Sequence, residues 1–151
     1  MTAPDTIASA IASATAAIDA AVDAGERPPS LDTLAKSAHV SASHLRREFV
    51  ARVGIAPKAY ADARRAERLR CQLAAGGDVA GAIHGSGFGS ASRVYERTDE
   101  LLGMSPATAR KGAPGETIRY AIAGSSLGLL VVATTERGVC LVAFGESEDE
   151  L

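Results

Sequence analysis

Two stretches of the sequence repeat one another and decide the fold: SASHLRREFVARVGIAP at residues 41–57 and SASRVYERTDELLGMSP at residues 90–106. A shift of 49 residues aligns their opening serines and places Gly54 on Gly103. Because serine caps the N-terminus of helices and glycine ends them, each copy predicts a helix that begins after its serine. A shorter helix and a tight turn are predicted before each copy, so each copy predicts a helix-turn-helix.

The rest of the sequence extends this arrangement on both sides. Apolar residues at steps of three and four predict an N-terminal helix that ends at Gly25, and a long helix over residues 57–75 joins the two copies. From about residue 115 the period changes to alternation, which predicts strands and turns. The predicted strands cover residues 118–122, 127–134 and 138–144. The predicted fold is mainly α, with two helix-turn-helix subdomains joined by a long helix and followed by a small antiparallel β meander, a truncated α+β domain. The predicted domains are residues 1–112 and 113–151.

The charge is segregated along the chain. The net charge is −2, yet residues 26–111 hold 14 Lys and Arg against nine Asp and Glu, between two acidic ends. A basic middle segment is typical of nucleic-acid binding. No apolar run reaches the roughly 18 residues that a membrane span needs, and no basic segment opens a signal peptide. Two cysteines are typical of a reducing, cytoplasmic compartment, and two thiols cannot form a four-thiolate zinc site.

The second helix of each copy carries the predicted DNA contacts. Such a helix enters the major groove and reads base edges from its N-terminal residues. In the first copy Leu45 and Phe49 are predicted to face the core, so the opposite side faces DNA. The predicted contacts of the first copy are Ser41, Ala42, Ser43, His44, Arg46 and Arg47. Those of the second copy are Ser90, Ala91, Ser92, Arg93, Glu96 and Arg97. Lys58 and Lys111 are predicted phosphate contacts, and the arginines of the long helix line either a solvated face or a DNA surface.

Residues 31–111 resemble the AraC/XylS-type double helix-turn-helix domain. The residues of the second copy that carry this resemblance are Gly87, Phe88, Ser90, Ser92, Gly103 and Pro106. The resemblance extends to the Ada-type regulators of the adaptive response to DNA alkylation through five short segments. These are APKA at 56–59, RAERLR at 65–70, DELLGM at 99–104, IRYAIA at 118–123 and ERGVC at 136–140. The last two resemble the start of the O6-alkylguanine alkyltransferase domain of that family.

The resemblance implies a transcriptional regulator of the alkylation response that binds double-stranded DNA as a monomer, with RNA polymerase as a further partner. Ada-type proteins begin with a four-cysteine zinc domain and carry a Pro-Cys-His-Arg methyl acceptor, and neither occurs here. The expectation is therefore a truncated, inactive piece of the repair domain, with no catalytic residue, metal or cofactor. This sequence also departs from the family pattern at Glu96, where an arginine is usual, and at Thr98, where a core phenylalanine is usual.

Two other functions are compatible with the sequence. One is a DNA-repair methyltransferase of the same family, although Cys71 and Cys140 do not follow a proline or precede a histidine. The other is a protein-interaction module that no longer reads DNA and uses the strands at 118–144. GSSLG at 124–128 matches the G-x-S-x-G pattern of a nucleophile, but a β-type segment follows it and no histidine remains, so it predicts a hairpin turn. Cys140 is predicted to be a core thiol.

Overall fold

Helices lead into a short β-sheet in the computed structural model, which describes residues 3–150 of the chain, with side chains from Thr6 onward. The predicted domains also include Met1, Thr2 and Leu151, which lie outside the described residues. The helices are α1 (Ala3–Asp23), α2 (Leu31–Ser37), α3 (Ala42–Val53), α4 (Pro57–Ala74), α5 (Val79–Gly85), α6 (Ala91–Glu96), α7 (Thr98–Leu102) and α8 (Pro106–Arg110). The strands are β1 (Arg119–Ser125), β2 (Gly128–Thr134) and β3 (Val139–Gly145). The mainly helical fold with a C-terminal antiparallel sheet confirms the predicted fold class.

The ends of α3 form as the repeat predicts. The Ser41 hydroxyl accepts a hydrogen bond from the backbone N–H of His44 at 3.2 Å, which satisfies one of the unpaired donors of the first turn. Gly54 ends the helix with φ at 89°, a left-handed conformation that costs glycine little. In the second copy, the Ser90 hydroxyl caps α6 in the same way, with a longer bond of 3.5 Å to the N–H of Arg93.

The second copy differs from the prediction of one helix over residues 90–103. The helix is broken at Arg97, whose φ of −119° and ψ of 21° separate α6 from α7. The neighbouring Thr98 hydroxyl donates to the carbonyl of Tyr95 at 3.4 Å, and threonine bonds of this kind compete with the helical backbone pattern. As a result α6 has only six residues, half the length of α3.

The chain forms two compact units. The first contains the residues up to Leu69 together with His84–Gly89. Its core is built from the apolar stripe of α1 and the inner faces of α2, α3 and the start of α4. The buried core residues of this unit include Ile11, Ile18, Val22, Leu34, Leu45 and Phe49. The sequence predicts no apolar segment long enough for a membrane span, yet α1 is long and apolar enough over Thr6–Asp23 by length and composition alone. Its apolar stripe is buried in this core.

Glycine is required in the turn between α5 and α6, which belongs to the first unit. Gly87 has φ at +73°, and a Cβ atom at this position would lie 2.5 Å from the backbone oxygen of Glu26. Both the left-handed conformation and the close approach exclude a larger residue. The signature glycine therefore has a local structural reason, independent of any DNA contact.

The second unit contains Arg70–Ile83 and the residues from Ser90 onward. Its sheet has the order β1-β2-β3 with antiparallel pairing, as the alternating pattern predicts. Strand β3 packs on α7, the Thr135 hydroxyl donates to the carbonyl of Gly103, and Arg137 pairs with Asp99 at 2.7 Å. The predicted domain boundary after residue 112 therefore lies within this compact unit, and the division into two domains stays a prediction.

The burial of Cys140 differs from the sequence prediction. The prediction of a buried core thiol is wrong, because Cys140 is only partly buried on β3. This strand is exposed or half-exposed along its whole length, whereas the central strand β2 holds the buried residues Val131 and Ala133.

Candidate nucleic-acid interface

Helix α3 is fixed to the first unit by its inner face. Leu45 and Phe49, one helical turn apart, are both completely buried, as predicted. Helix α3 packs on α1 and α2, and the Phe49 ring meets the Tyr60 ring edge-on with 5.8 Å between centroids. Aromatic pairs favour this edge-to-face geometry. The core thus determines which side of α3 faces outward.

The outward side of α3 carries two arginines on a common surface with a serine and a valine. Ser43, Arg46, Arg47 and Val50 are exposed and border one shallow hollow that is open to solvent. They follow the spacing i, i+3, i+4 and i+7, which places all four on one side of a helix. We call this set the α3 face. Three of its four members were predicted DNA contacts.

The other predicted contacts of the first copy and Lys58 differ in exposure. Ser41 is exposed, with its hydroxyl engaged in the helix cap, while Ala42 and His44 are half-buried in the first turn. Lys58 is exposed in the first turn of α4. None of these residues lines the hollow on the α3 face.

The second copy presents a shorter outward surface. Val94 is fully buried and anchors α6 in the second unit. Exposed around it are the predicted contacts Ala91, Ser92, Arg93 and Glu96. Arg97 lies at the break after α6 and pairs with Glu100 at 2.8 Å, so part of its charge is already matched. Lys111 is exposed at the C-terminal end of α8.

Arg64, Arg65 and Arg68 of α4 have structural partners within the first unit. The Nε atom of Arg64 donates to Asp19 on α1 at 2.8 Å, and the Tyr60 hydroxyl donates to the same carboxylate. Burial, together with the hydrogen bond and charge of Asp19, raises the pKa of Tyr60, although Arg64 opposes the shift. Burial lowers the pKa of Arg64, but its hydrogen bond and ion pair with Asp19 outweigh this and raise it. The group ties α4 to α1.

Two further arginines of α4 serve the turn before α6. Arg68 donates through Nε to the carbonyl of Gly85 at 2.6 Å. The guanidinium of Arg65 lies 5.8 Å from the centre of the Phe88 ring, a cation–π distance, and also pairs with Asp62. Burial lowers the pKa of Arg65, and the Asp62 charge opposes this. These contacts hold the α5–α6 turn in place, a role that neither a solvated face nor a DNA surface describes.

Val50 is the member of the α3 face that the sequence analysis missed. It is 40% exposed although it is aliphatic. A valine in a helical repeat is normally assigned to the core, which explains the omission. Its position seven residues after Ser43 is the signal that places it beside the arginines.

The described side chains hold no group of three His, Cys, Asp or Glu residues that could bind a metal ion. The α3 face carries guanidinium, hydroxyl and aliphatic groups. Guanidinium groups donate paired hydrogen bonds to guanine edges and to phosphates, which suits a nucleic-acid ligand.

The sequence of this chain is similar to a helix-turn-helix family and to two known regulators. The helix-turn-helix domain family matches residues 34–112, which contain both copies. The chain is 40% identical over 126 residues to the bifunctional transcriptional activator and DNA repair enzyme Ada of Escherichia coli. It is equally similar, at 40% over 126 residues, to the regulatory protein ada of Salmonella typhimurium.

The alignment with these two relatives covers most of this chain but a smaller part of each relative. It covers 83% of this chain but only 36% of either relative, so the chain spans about a third of their length. No solved structure matches the chain significantly. The family match contains α3 and α6 and extends over more than half of the sequence. The chain therefore belongs to the AraC-type helix-turn-helix family.

Proposed function

We propose that this chain reads a specific DNA sequence through the α3 face and regulates transcription in the response to DNA alkylation. The observation that carries the proposal is the outward arrangement of Ser43, Arg46 and Arg47 on a helix anchored by a buried inner face. A major groove admits one α-helix, and two arginines on its outer side match the guanine N7 and O6 acceptors. The Ada relatives supply the physiological context, since one of them is named a transcriptional activator and DNA repair enzyme.

In the proposed complex, phosphate contacts supply most of the affinity of the chain for DNA. Exposed Lys58 and Lys111, together with the N-terminal turns capped by Ser41 and Ser90, are the proposed phosphate ligands. Backbone N–H groups at helix N-termini favour anions, and lysines release condensed counterions. Such contacts position a protein on the duplex and carry no sequence information.

The second copy plays the smaller part in base reading. Its helix α6 has only six residues, and Arg97 is engaged with Glu100. Ser92 and Arg93 are the proposed base or backbone contacts. Glu96 repels phosphates but accepts a hydrogen bond from the N4 amino group of cytosine, so its proposed ligand is a base. The protein then reads two adjacent groove segments, the first more stringently than the second.

The proposal includes three further properties. The chain acts on DNA as a monomer, because two reading helices on one polypeptide replace the two copies that a dimer would provide. RNA polymerase is the proposed protein partner, in keeping with the activator named among the relatives. The cytoplasm is the proposed location, where bacterial DNA is accessible.

Selection from a random duplex pool tests the proposed function. The full chain is incubated with the pool, bound duplexes are separated and amplified, and the cycle is repeated with both wild type and an Arg46→Ala, Arg47→Ala double variant. A reader yields one enriched sequence with wild type, containing guanines that the double variant no longer selects. Failure of the wild type to enrich any sequence contradicts the proposal.

Replacement of Lys58 by alanine is expected to weaken binding to all duplexes alike. Removal of one phosphate-binding lysine reduces the slope of log affinity against log salt by about 1, with no change in sequence preference. The measurement is anisotropy of a labelled duplex at several salt concentrations. Arg119→Ala is the matched control, because it removes an exposed cation from β1, where no DNA contact is proposed. An unchanged slope in Lys58→Ala, or an equal loss in the control, excludes the assignment.

A methyl-acceptor activity is the second candidate, favoured by the repair enzyme among the relatives. The chain has two free thiols, exposed Cys71 and partly buried Cys140, and neither lies in a Pro-Cys-His-Arg sequence. We expect no methyl gain on incubation with DNA containing O6-methylguanine, measured as intact protein mass. A stoichiometric gain of one methyl group would assign repair activity to this chain.

A further inference from the structure

We infer that Val50 reads the C5-methyl group of a thymine in the major groove, beside the bases contacted by Arg46 and Arg47. This inference rests on the proposed function and adds to it a specificity for one base. It gives a recognition role to a residue outside the predicted set of contacts.

Val50 lies on the same side of α3 as the residues proposed to read bases. Ser43, Arg46, Arg47 and Val50 follow the spacing i, i+3, i+4 and i+7 and line a single hollow. The four groove-facing positions of a homeodomain recognition helix have this same spacing. A helix that presents Ser43 and the two arginines to base edges therefore presents Val50 to them as well.

The side chain of Val50 is purely apolar. Val50 has no hydrogen-bonding group, so it cannot bind a phosphate or a base-edge donor or acceptor. The one apolar group in the major groove is the thymine C5-methyl, which is read by apolar contact. The two γ-methyl groups of valine offer such a contact. Val50 and the arginines thereby read complementary features of neighbouring bases.

The exposure of Val50 distinguishes it from the rest of α3. The other large apolar residues of this helix are buried or half-buried, whereas Val50 is 40% exposed. An exposed aliphatic residue is common on protein surfaces and by itself requires no function. Its position on the same side of α3 as Arg46 and Arg47 is what connects this one with the proposed DNA-reading surface.

Replacement of each thymine in the selected duplex by deoxyuridine tests the inference, because deoxyuridine lacks only the C5-methyl group. The full chain is titrated with the unmodified duplex and with each singly replaced duplex, as wild type and as Val50→Ala. Alanine has a higher helix propensity than valine, so the variant retains the helix. Val139→Ala is the matched control, since Val139 is also a valine, 41% exposed, on β3.

For the wild type, one replaced duplex is expected to bind about fourfold more weakly, the effect of roughly one buried methyl group. Val50→Ala should bind the unmodified duplex more weakly by a similar factor and should no longer distinguish thymine from deoxyuridine. Such a double-mutant cycle isolates the contact between the two groups. The Val139→Ala control should retain full discrimination.

Three results overturn the inference. If no deoxyuridine replacement weakens binding, no thymine methyl is read. If Val50→Ala retains the wild-type discrimination, another residue reads the methyl; in both cases DNA reading itself stands. If the wild type enriches no duplex at all, the proposed function fails and the inference fails with it.

Discussion

Replacement of Phe49 by alanine is expected to destabilise the protein by about 3–5 kcal/mol, the usual cost of removing a buried phenylalanine. Phe49 is completely buried and contacts the Tyr60 ring, which in turn is hydrogen bonded to Asp19. The substitution leaves a cavity where α3 meets α1 and α4. Since the free energy of unfolding of a domain is about 5–15 kcal/mol, a loss of this size threatens the folded state itself.

Urea denaturation followed by circular dichroism measures this loss. Phe49→Leu keeps a sizeable apolar side chain and leaves a smaller cavity, so it should cost less than Phe49→Ala and separates a cavity effect from a general intolerance of change. Tyr120→Ala removes an aromatic ring that is 70% exposed on β1 and should change stability by about 0.5 kcal/mol or less. A stability of Phe49→Ala equal to that of Tyr120→Ala would show that α3 is not anchored as described.

Replacement of Arg47 by alanine is expected to reduce affinity for the selected duplex by about 1–3 kcal/mol and to relax specificity at one position. The arginine is exposed on the α3 face, where its guanidinium can donate two hydrogen bonds to a guanine. Affinity for random duplexes should fall much less, because those duplexes lack the matched base. Anisotropy titrations with both duplexes give the two numbers.

Arg52→Ala is the matched control on the same helix. Arg52 lies nine residues after Ser43, which at about 100° per residue is half a turn away from the α3 face. It forms a surface ion pair with Glu48 at 3.8 Å, and such pairs contribute little to stability. Sequence preference should therefore be unchanged in Arg52→Ala. Equal effects of the two substitutions would show that α3 does not enter the groove by the proposed face.

The parts of the fold that depend on local chemistry could be predicted from the sequence. Ser41 and Gly54 bound α3 because a hydroxyl cap and a left-handed glycine need only their immediate neighbours. The strands of the meander follow from alternation and turn residues in the same way. The buried positions Leu45 and Phe49 follow from helical periodicity alone.

The parts that depend on distant residues could not be predicted. The break at Arg97 was not predicted: the Thr98 hydroxyl beside it donates locally to Tyr95 but also accepts a hydrogen bond from Arg137, 39 residues later in the chain. Arg64 is paired with Asp19, 45 residues earlier, so no local pattern could distinguish its structural role from a DNA contact. Val50 was not among the predicted contacts, although its position seven residues after Ser43 could be read from the sequence.

The central claim is that this chain reads a specific DNA sequence. The most direct measurement is fluorescence anisotropy of the selected duplex, titrated with the full chain at several salt concentrations and competed with a shuffled duplex of the same composition. We predict binding that weakens steeply with salt and that the shuffled duplex displaces only at a large excess. Equal competition by the shuffled duplex, or no binding at low salt, contradicts the claim. The exposed strands at 118–144 would then favour a protein-interaction module instead.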